Sequence, residues 1–433
     1  MPDRSDVTYF GAGPALLPTE ILENAANALV NFENTGLGLA EHSHRSALAT
    51  EILNQAKADL ANFLHIPGTY DILFMQAGGT GQFSATIYNL VAMWVERKKQ
   101  EILKELEKKE TDVPEEVLFS KLQKAVTEEL KVDYLVTGTW SLKASQEAAR
   151  ILGSHHVNIA ADARNVNNGK FGKIPAESSW NLSKNPAMTY FCDNETVNGV
   201  EFPGFPAALE ENGERMQYLV ADMSSNILSR RIPIEKFSLI FFGAQKNLGC
   251  TGITAVIIKK ELLPPYLATP SPELLRRLGL PVCPIIQSYE TIAKNNSLYN
   301  TLSIFDVYIA GQVIKKLLGE HPEKISGQEA VSNEKAKIIY GALEEHPQSY
   351  LIIADKSVRS RMNICFRVKI DGLSIEESEK NFLRDATKIG LQGLKGHRSI
   401  GGIRASNYNS ISIGDARRLA KFIDSFVMTT NTA

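Results

Sequence analysis

Two polar residues 24 positions apart (246 minus 222), Asp222 and Lys246, each close an apolar run. Tyr218-Leu219-Val220-Ala221 leads into Asp222, and Phe237 through Phe242 leads into Gly243-Ala244-Gln245-Lys246. Both runs are short, rich in β-branched and aromatic residues and bounded by turn signals, the pattern of buried parallel strands. Open α/β sheets bind ligands at the carboxyl ends of their strands. A carboxylate and an amine delivered to one rim suit pyridoxal phosphate: the amine can condense with the aldehyde, and the carboxylate can keep the pyridine nitrogen protonated. A surface lysine and a helix-capping aspartate would look the same in isolation, so the rest of the chain carries the decision.

Other rim candidates follow strand patterns. Gly78-Gly79-Thr80-Gly81 stands between a strand and a helix, where backbone N–H groups and the Thr80 hydroxyl could cup a phosphate; a tight turn explains the glycines equally well. Trp140 follows Tyr134-Leu135-Val136 and could stack on a ring, or simply pack. Thr196, after the strand ending at Cys192, could reach a phenolic oxygen, or belong to a polar loop. Two clusters pair His with Arg: His42-Ser43-His44-Arg45-Ser46, and Gly396-His397-Arg398 continuing to Arg404. Guanidinium forks match carboxylate and phosphate, so these clusters suit a multiply anionic substrate. Ile400 and Ile403 beside Arg398 argue against a purely solvated loop. His42-x-His44 has no third ligand nearby, and no metal is expected.

The elements that must position these residues alternate. Strand patterns recur at Asp71 to Met75, Tyr134 to Val136, Val157 to Ala160, Met188 to Phe191, Gln217 to Ala221, Ser238 to Phe242 and Thr254 to Ile258, with helical stretches between several of them. This predicts an α/β fold with a mostly parallel sheet. Residues 16–315 form the expected large domain. Residues 316–433, joined by the N-terminal segment 1–15, form the expected smaller α+β domain. Helices are expected over 18–29, 48–63, 83–95, 304–318, 333–346 and 416–429. The stretch 96–131 turns Lys/Glu-rich with Leu at helical spacing, which reads as an inserted, solvated helical hairpin.

The formal charge of −2 in 433 residues gives no bulk argument for nucleic acid or an anionic membrane. No run approaches the roughly 18 apolar residues of a membrane span. Met1 to Asp6 lacks the apolar stretch of a secretory leader, and Cys192, Cys250, Cys283 and Cys365 fit neither a disulfide framework nor a metal motif. A cytoplasmic enzyme is expected, with no nucleic-acid or membrane partner. None of the four cysteines has the mobile-loop context that a cysteine desulfurase of similar fold would need.

The sequences Phe10-Gly11-Ala12-Gly13-Pro14-Ala15, Ser43-His44-Arg45-Ser46, Asn194-Glu195-Thr196, Asp222-Met223-Ser224-Ser225, Gly243-Ala244-Gln245-Lys246-Asn247, Ser297-Leu298-Tyr299-Asn300-Thr301 and Gly396 to Ser406 together resemble the phosphoserine aminotransferase family nearly end to end. The resemblance implies fold-type I pyridoxal-phosphate architecture. It implies transfer of an amino group from L-glutamate to 3-phosphohydroxypyruvate, giving 2-oxoglutarate and O-phospho-L-serine in serine biosynthesis. A side activity on a phosphorylated 2-oxo-3-hydroxybutanoate is implied as well. By position, Lys246 would carry the cofactor, Asp222 would face its ring nitrogen, and Gly79, Thr80 and Gln245 would hold its phosphate. Trp140 would stack, and Thr196 would contact the ring oxygen. Asn300 and Thr301 would serve the site of a second subunit in a homodimer. His44, Arg45, His397 and Arg398 would bind the substrate's distal anion, and Arg404 its α-carboxylate. Three departures stand out: Leu302 where proline is usual, Asn407 where an apolar residue is usual, and the stretch 96–131.

Overall fold

The computed structural model describes residues 3–210 and 218–430. Its centre is a seven-stranded sheet in the order Tyr70–Met75, Thr254–Lys259, Leu239–Gly243, Leu219–Asp222, Met188–Cys192, Val132–Val136, Val157–Asp162. Pairing is parallel except at Thr254–Lys259, which runs antiparallel to both neighbours. The apolar runs read from the sequence are these strands, and their continuity has a simple cause. Leu239 and Phe241 point into one core while Ile240 and Phe242 point into another, so this central strand is buried on both faces, whereas the edge strand Val157–Asp162 exposes Ile159. Of the stretch Gln217 to Ala221, Gln217 lies outside the described residues.

Helices cover both faces. Ala47–Leu64 and Ile304–Glu320 pack over one core, and Gly78–Glu105, Glu115–Glu128 and Thr139–Leu152 over the other. Two expectations need correction. The helix expected from Phe83 to Val95 begins at Gly78 and continues to Glu105, so the first part of the 96–131 stretch extends it. The second part, Glu115–Glu128, buries Leu118, Leu122, Ala125 and Val126. Its charged composition hid a packed stripe, because a helix of about four turns needs only four apolar residues to seat one face.

A three-stranded antiparallel sheet, Tyr350–Ile352, Asn363–Val368 and Ile403–Ser406, builds a further core with helices Ile325–Glu345, Ile375–Lys388 and Ile413–Thr430. The helix read from Asn333 thus starts eight residues earlier. Thr8–Tyr9 pairs in parallel with Leu391–Gln392, and Phe10 enters this same core. Residues 315 and 316 fall inside Ile304–Glu320.

A buried ionic network joins the two sheets. Arg361 grips Glu201 through Nη2 (2.7 Å), Nε (3.1 Å) and its backbone N–H (2.9 Å). Arg230 pairs with Asp193 at 2.5 Å and approaches Glu201 at 4.0 Å, while Asn226 donates to both carboxylates.

Candidate active site

Adjacent parallel strands bring Asp222 and Lys246 to one rim. Asp222 ends its strand opposite Phe241, and Lys246 follows in the turn after Leu239–Gly243. Both line one cavity together with Gly79, Thr80, Trp140, Thr196 and Gln245. Lys246 Nζ donates to Thr196 Oγ1 at 2.9 Å. Burial lowers the Lys246 amine from its ordinary value, helped by the Arg404 charge and opposed by Asp222, Cys192 and Glu195. Desolvation is the largest of these effects. Burial raises the Asp222 carboxyl, opposed by the hydrogen bond from Ser224 N (2.9 Å) and by Lys246.

Two helix N-termini meet this cavity, and they are used differently. The helix Gly78–Glu105 starts without a side-chain cap, so its first-turn N–H groups at Gly79 and Thr80 have no carboxylate or hydroxyl on them. A Cβ on Gly79 would lie 3.3 Å from Ser224 Oγ and 3.9 Å from Asp222 Oδ2, so glycine there keeps the cradle open. The glycines belong to the helix's first turn, where a turn preceding it was expected. The helix Thr139–Leu152 is occupied instead. Glu195 accepts from Trp140 N (2.8 Å), Ser141 N (2.8 Å) and Ser141 Oγ (2.6 Å). Trp140 keeps its indole at the cavity wall beside Phe83, its Nε1 buried without a partner. These residues fit a planar, phosphate-bearing cofactor with a carbonyl and a basic ring nitrogen. An uncapped helix end awaits an anion, an aromatic face lines the wall, and an amine and a buried carboxylate stand in one chamber.

The remaining residues are not part of this cavity's lining. Arg404 Nη1 donates to Thr196 O at 3.2 Å, and its Nε is buried without a partner. His397 bonds Ser399 Oγ at 2.7 Å, and burial, Arg404, Lys143 and Arg398 all lower its imidazole. Arg398 and Ile400 are exposed, so the flanking isoleucines did not signal burial. His44 is half-buried with Nε2 unpartnered, and Arg45 is exposed. Asn300 and Thr301 sit apart from the cavity lining: Asn300 Oδ1 accepts from Thr301 N, and Gln76 donates to Thr301 O. Leu302 is buried in the sheet core, and Asn407 is buried with its Nδ2 on Arg361 O.

Several groups at the site had no assigned role. Ser224 and Ser225 line the cavity, and Glu195 organises its wall, all inside motifs already noted. Cys192 also lines it, from the end of a buried strand and not from a loop; burial pushes its thiol well up, and Sγ donates to Asn194 O at 3.3 Å. Gly13, at φ +133°, packs over Lys246, where a Cβ would meet Lys246 Cγ at 3.5 Å. The N-terminal segment therefore roofs the lysine.

The model of the aminotransferase class-V family matches residues 7–129 and 115–419. Phosphoserine aminotransferase of Saccharomyces cerevisiae is 40% identical over 429 residues, 98% of each chain. The structure of phosphoserine aminotransferase from Bacillus circulans subsp. alkalophilus superposes with TM-score 0.78 at 32% identity, covering 97% of this chain and 98% of that one. A PLP-bound phosphoserine aminotransferase from Trichomonas vaginalis gives TM-score 0.77 at 32% identity, covering 96% and 98%. With the family model matching most of the chain and relatives matched over nearly their whole length, the chain belongs to the phosphoserine aminotransferase family of class-V, pyridoxal-phosphate-dependent aminotransferases.

Proposed function

We propose that this chain transfers the amino group of L-glutamate to 3-phosphohydroxypyruvate, yielding 2-oxoglutarate and O-phospho-L-serine, and acts on phosphorylated 2-oxo-3-hydroxybutanoate as a second acceptor. The observation that carries the reading is the shared cavity of Lys246, Asp222, Trp140 and the uncapped helix end at Gly79-Thr80. When bound, pyridoxal 5′-phosphate supplies an aldehyde that takes up the amino group and a ring that withdraws electrons from the adjoining carbon. Gly79, Thr80 and Gln245 hold the phosphate, Trp140 covers one ring face, and Thr196 meets the ring oxygen while orienting Lys246. Asp222 keeps the ring nitrogen protonated. Its own carboxyl is raised by burial, so a cationic partner is what fixes its charge. Lys246 carries the cofactor and, once freed as an amine, moves the proton from the substrate's α-carbon. Its depressed basicity leaves the neutral amine accessible nearer neutrality, as a general base needs.

Arg404 receives the α-carboxylate, while His44, Arg45, His397 and Arg398 receive the distal anion, phosphate or γ-carboxylate in turn. One anion site serving both substrates imposes ping-pong kinetics. Asn300 and Thr301 complete the site of a second subunit. Ile285 and Ile286, over half exposed in the segment leading to Asn300, support such a homodimer. The four free cysteines support a cytoplasmic setting. No helix among the described residues is long and apolar enough to cross a membrane.

The test is the visible spectrum of purified protein before and after O-phospho-L-serine alone. Loss of the yellow band is expected. A yellow protein indifferent to phosphoserine but responsive to another amino acid overturns the substrate, and a colourless protein that cannot be reconstituted overturns the enzyme reading.

A further inference from the structure

Glu195 has no part in the reaction as set out above, yet it is completely buried against the site. Its two oxygens take three hydrogen bonds from the first turn of the Trp140 helix. Ser141 Oγ also accepts from Thr137 N (2.9 Å) and Gly138 N (3.1 Å), so the whole entry to that helix is locked. A Cβ on Gly138 would come within 2.4 Å of the Glu195 side chain, which makes glycine the condition for this approach. The next residue, Thr196, holds Lys246 Nζ. Two consecutive residues at the end of a short strand therefore grip both the aromatic wall and the amine. A helix start is ordinarily capped by a local Ser, Thr, Asp or Asn at little cost, whereas burying a carboxylate is expensive. Capping alone does not account for it.

The titratable groups facing Glu195 are Asp222, Tyr190 and Cys192 from the neighbouring strands and Lys246 from its turn. Lys246 is the one cation among them. We propose that Glu195 is a positioning residue for the reaction: its carboxylate fixes Trp140 at the cofactor's ring face, and its negative charge favours the protonated state of the nitrogen carried by Lys246. This rests on Lys246 and Trp140 holding pyridoxal phosphate as proposed above. Burial pushes the Glu195 carboxyl up to about 7, so the charge is present at pH 8.

The experiment compares wild type, Glu195→Gln and Glu195→Asp. Cofactor affinity is read from quenching of apoprotein fluorescence, and the pH midpoint from the visible band of the loaded protein. Glu195→Gln is expected to weaken cofactor binding about tenfold and to move the midpoint down by roughly half a pH unit or more. Glu195→Asp keeps the charge but is too short to reach both amides, so it should weaken binding while leaving the midpoint near wild type. Wild-type values in both respects for Glu195→Gln overturn the proposal, as does a Glu195→Asp midpoint that drops equally, which would leave a helix cap only. If Glu195→Gln does not fold, Glu195→Asp decides alone: undiminished affinity or a lowered midpoint refutes the role. A wild type that takes up no colour removes the Lys246 reading instead, a distinguishable failure.

Discussion

Replacing Glu201 by Gln removes one charge from the link between the two sheets at nearly constant volume. Glu201 is 3% exposed. Burial works to raise its carboxyl, yet Arg361 and Arg230 outweigh that and hold it at about 2, against 4.5 for an ordinary glutamate. At 1.36 kcal/mol per pH unit this difference corresponds to about 3 kcal/mol of stability at pH 7. Removing one partner of a buried pair costs about 3–5 kcal/mol by a separate route, since the guanidinium is left with an amide in place of an anion. Asp193 returns part of the loss: burial raises it, and the Glu201 charge raises it further, so Gln at 201 relieves it. A net loss of about 2–4 kcal/mol is expected. Urea unfolding of the apoprotein at pH 7, followed by tryptophan fluorescence, measures it. The sign with pH is fixed. A depressed carboxyl contributes fully above 4.5 and loses its contribution as pH falls toward 2, so the gap between wild type and variant must narrow below pH 5. A variant within about 0.5 kcal/mol of wild type at pH 7, or a gap that widens in acid, refutes the reasoning.

Asp222→Ala is expected to abolish transamination while the protein still binds pyridoxal phosphate; full turnover would remove Asp222 from the mechanism. Arg398→Lys, which replaces a planar fork by a point charge, should raise KM for both phosphoserine and glutamate, and an unchanged phosphoserine KM would refute its anion-binding role. Lys335 is fully buried, with Nζ donating to Tyr408 O (2.8 Å) and Ile411 O (2.7 Å), and burial lowers it to about 7 against 10.5. The unfolded chain then binds one more proton between those values. Wild type should gain about 2 kcal/mol over Lys335→Met between pH 7 and 9, and parallel stability curves would contradict this.

The central sheet was legible because parallel strands buried on both faces leave continuous apolar runs, and the polar residue ending each run marks the rim. Composition was a weaker guide where one face carries the packing: the helix Glu115–Glu128 reads as solvated, although Leu118 and Leu122 seat it. Glycines concealed the start of Gly78–Glu105, since their propensity favours a turn and tertiary packing overrode it.

The order of residues by itself determined that a carboxylate and an amine would follow strands 24 positions apart (246 minus 222), and which types could serve a phosphate, a ring and an anion. Only the tertiary structure decided that Leu219–Asp222 and Leu239–Gly243 are neighbours, so that both groups open into one cavity. It alone decided that Glu195 would close one helix end, 54 residues back at Ser141, while the other stays open. The physical reason is that a side chain's type is local, whereas its desolvation and its partners come from segments distant along the chain, and those set its charge and its chemistry.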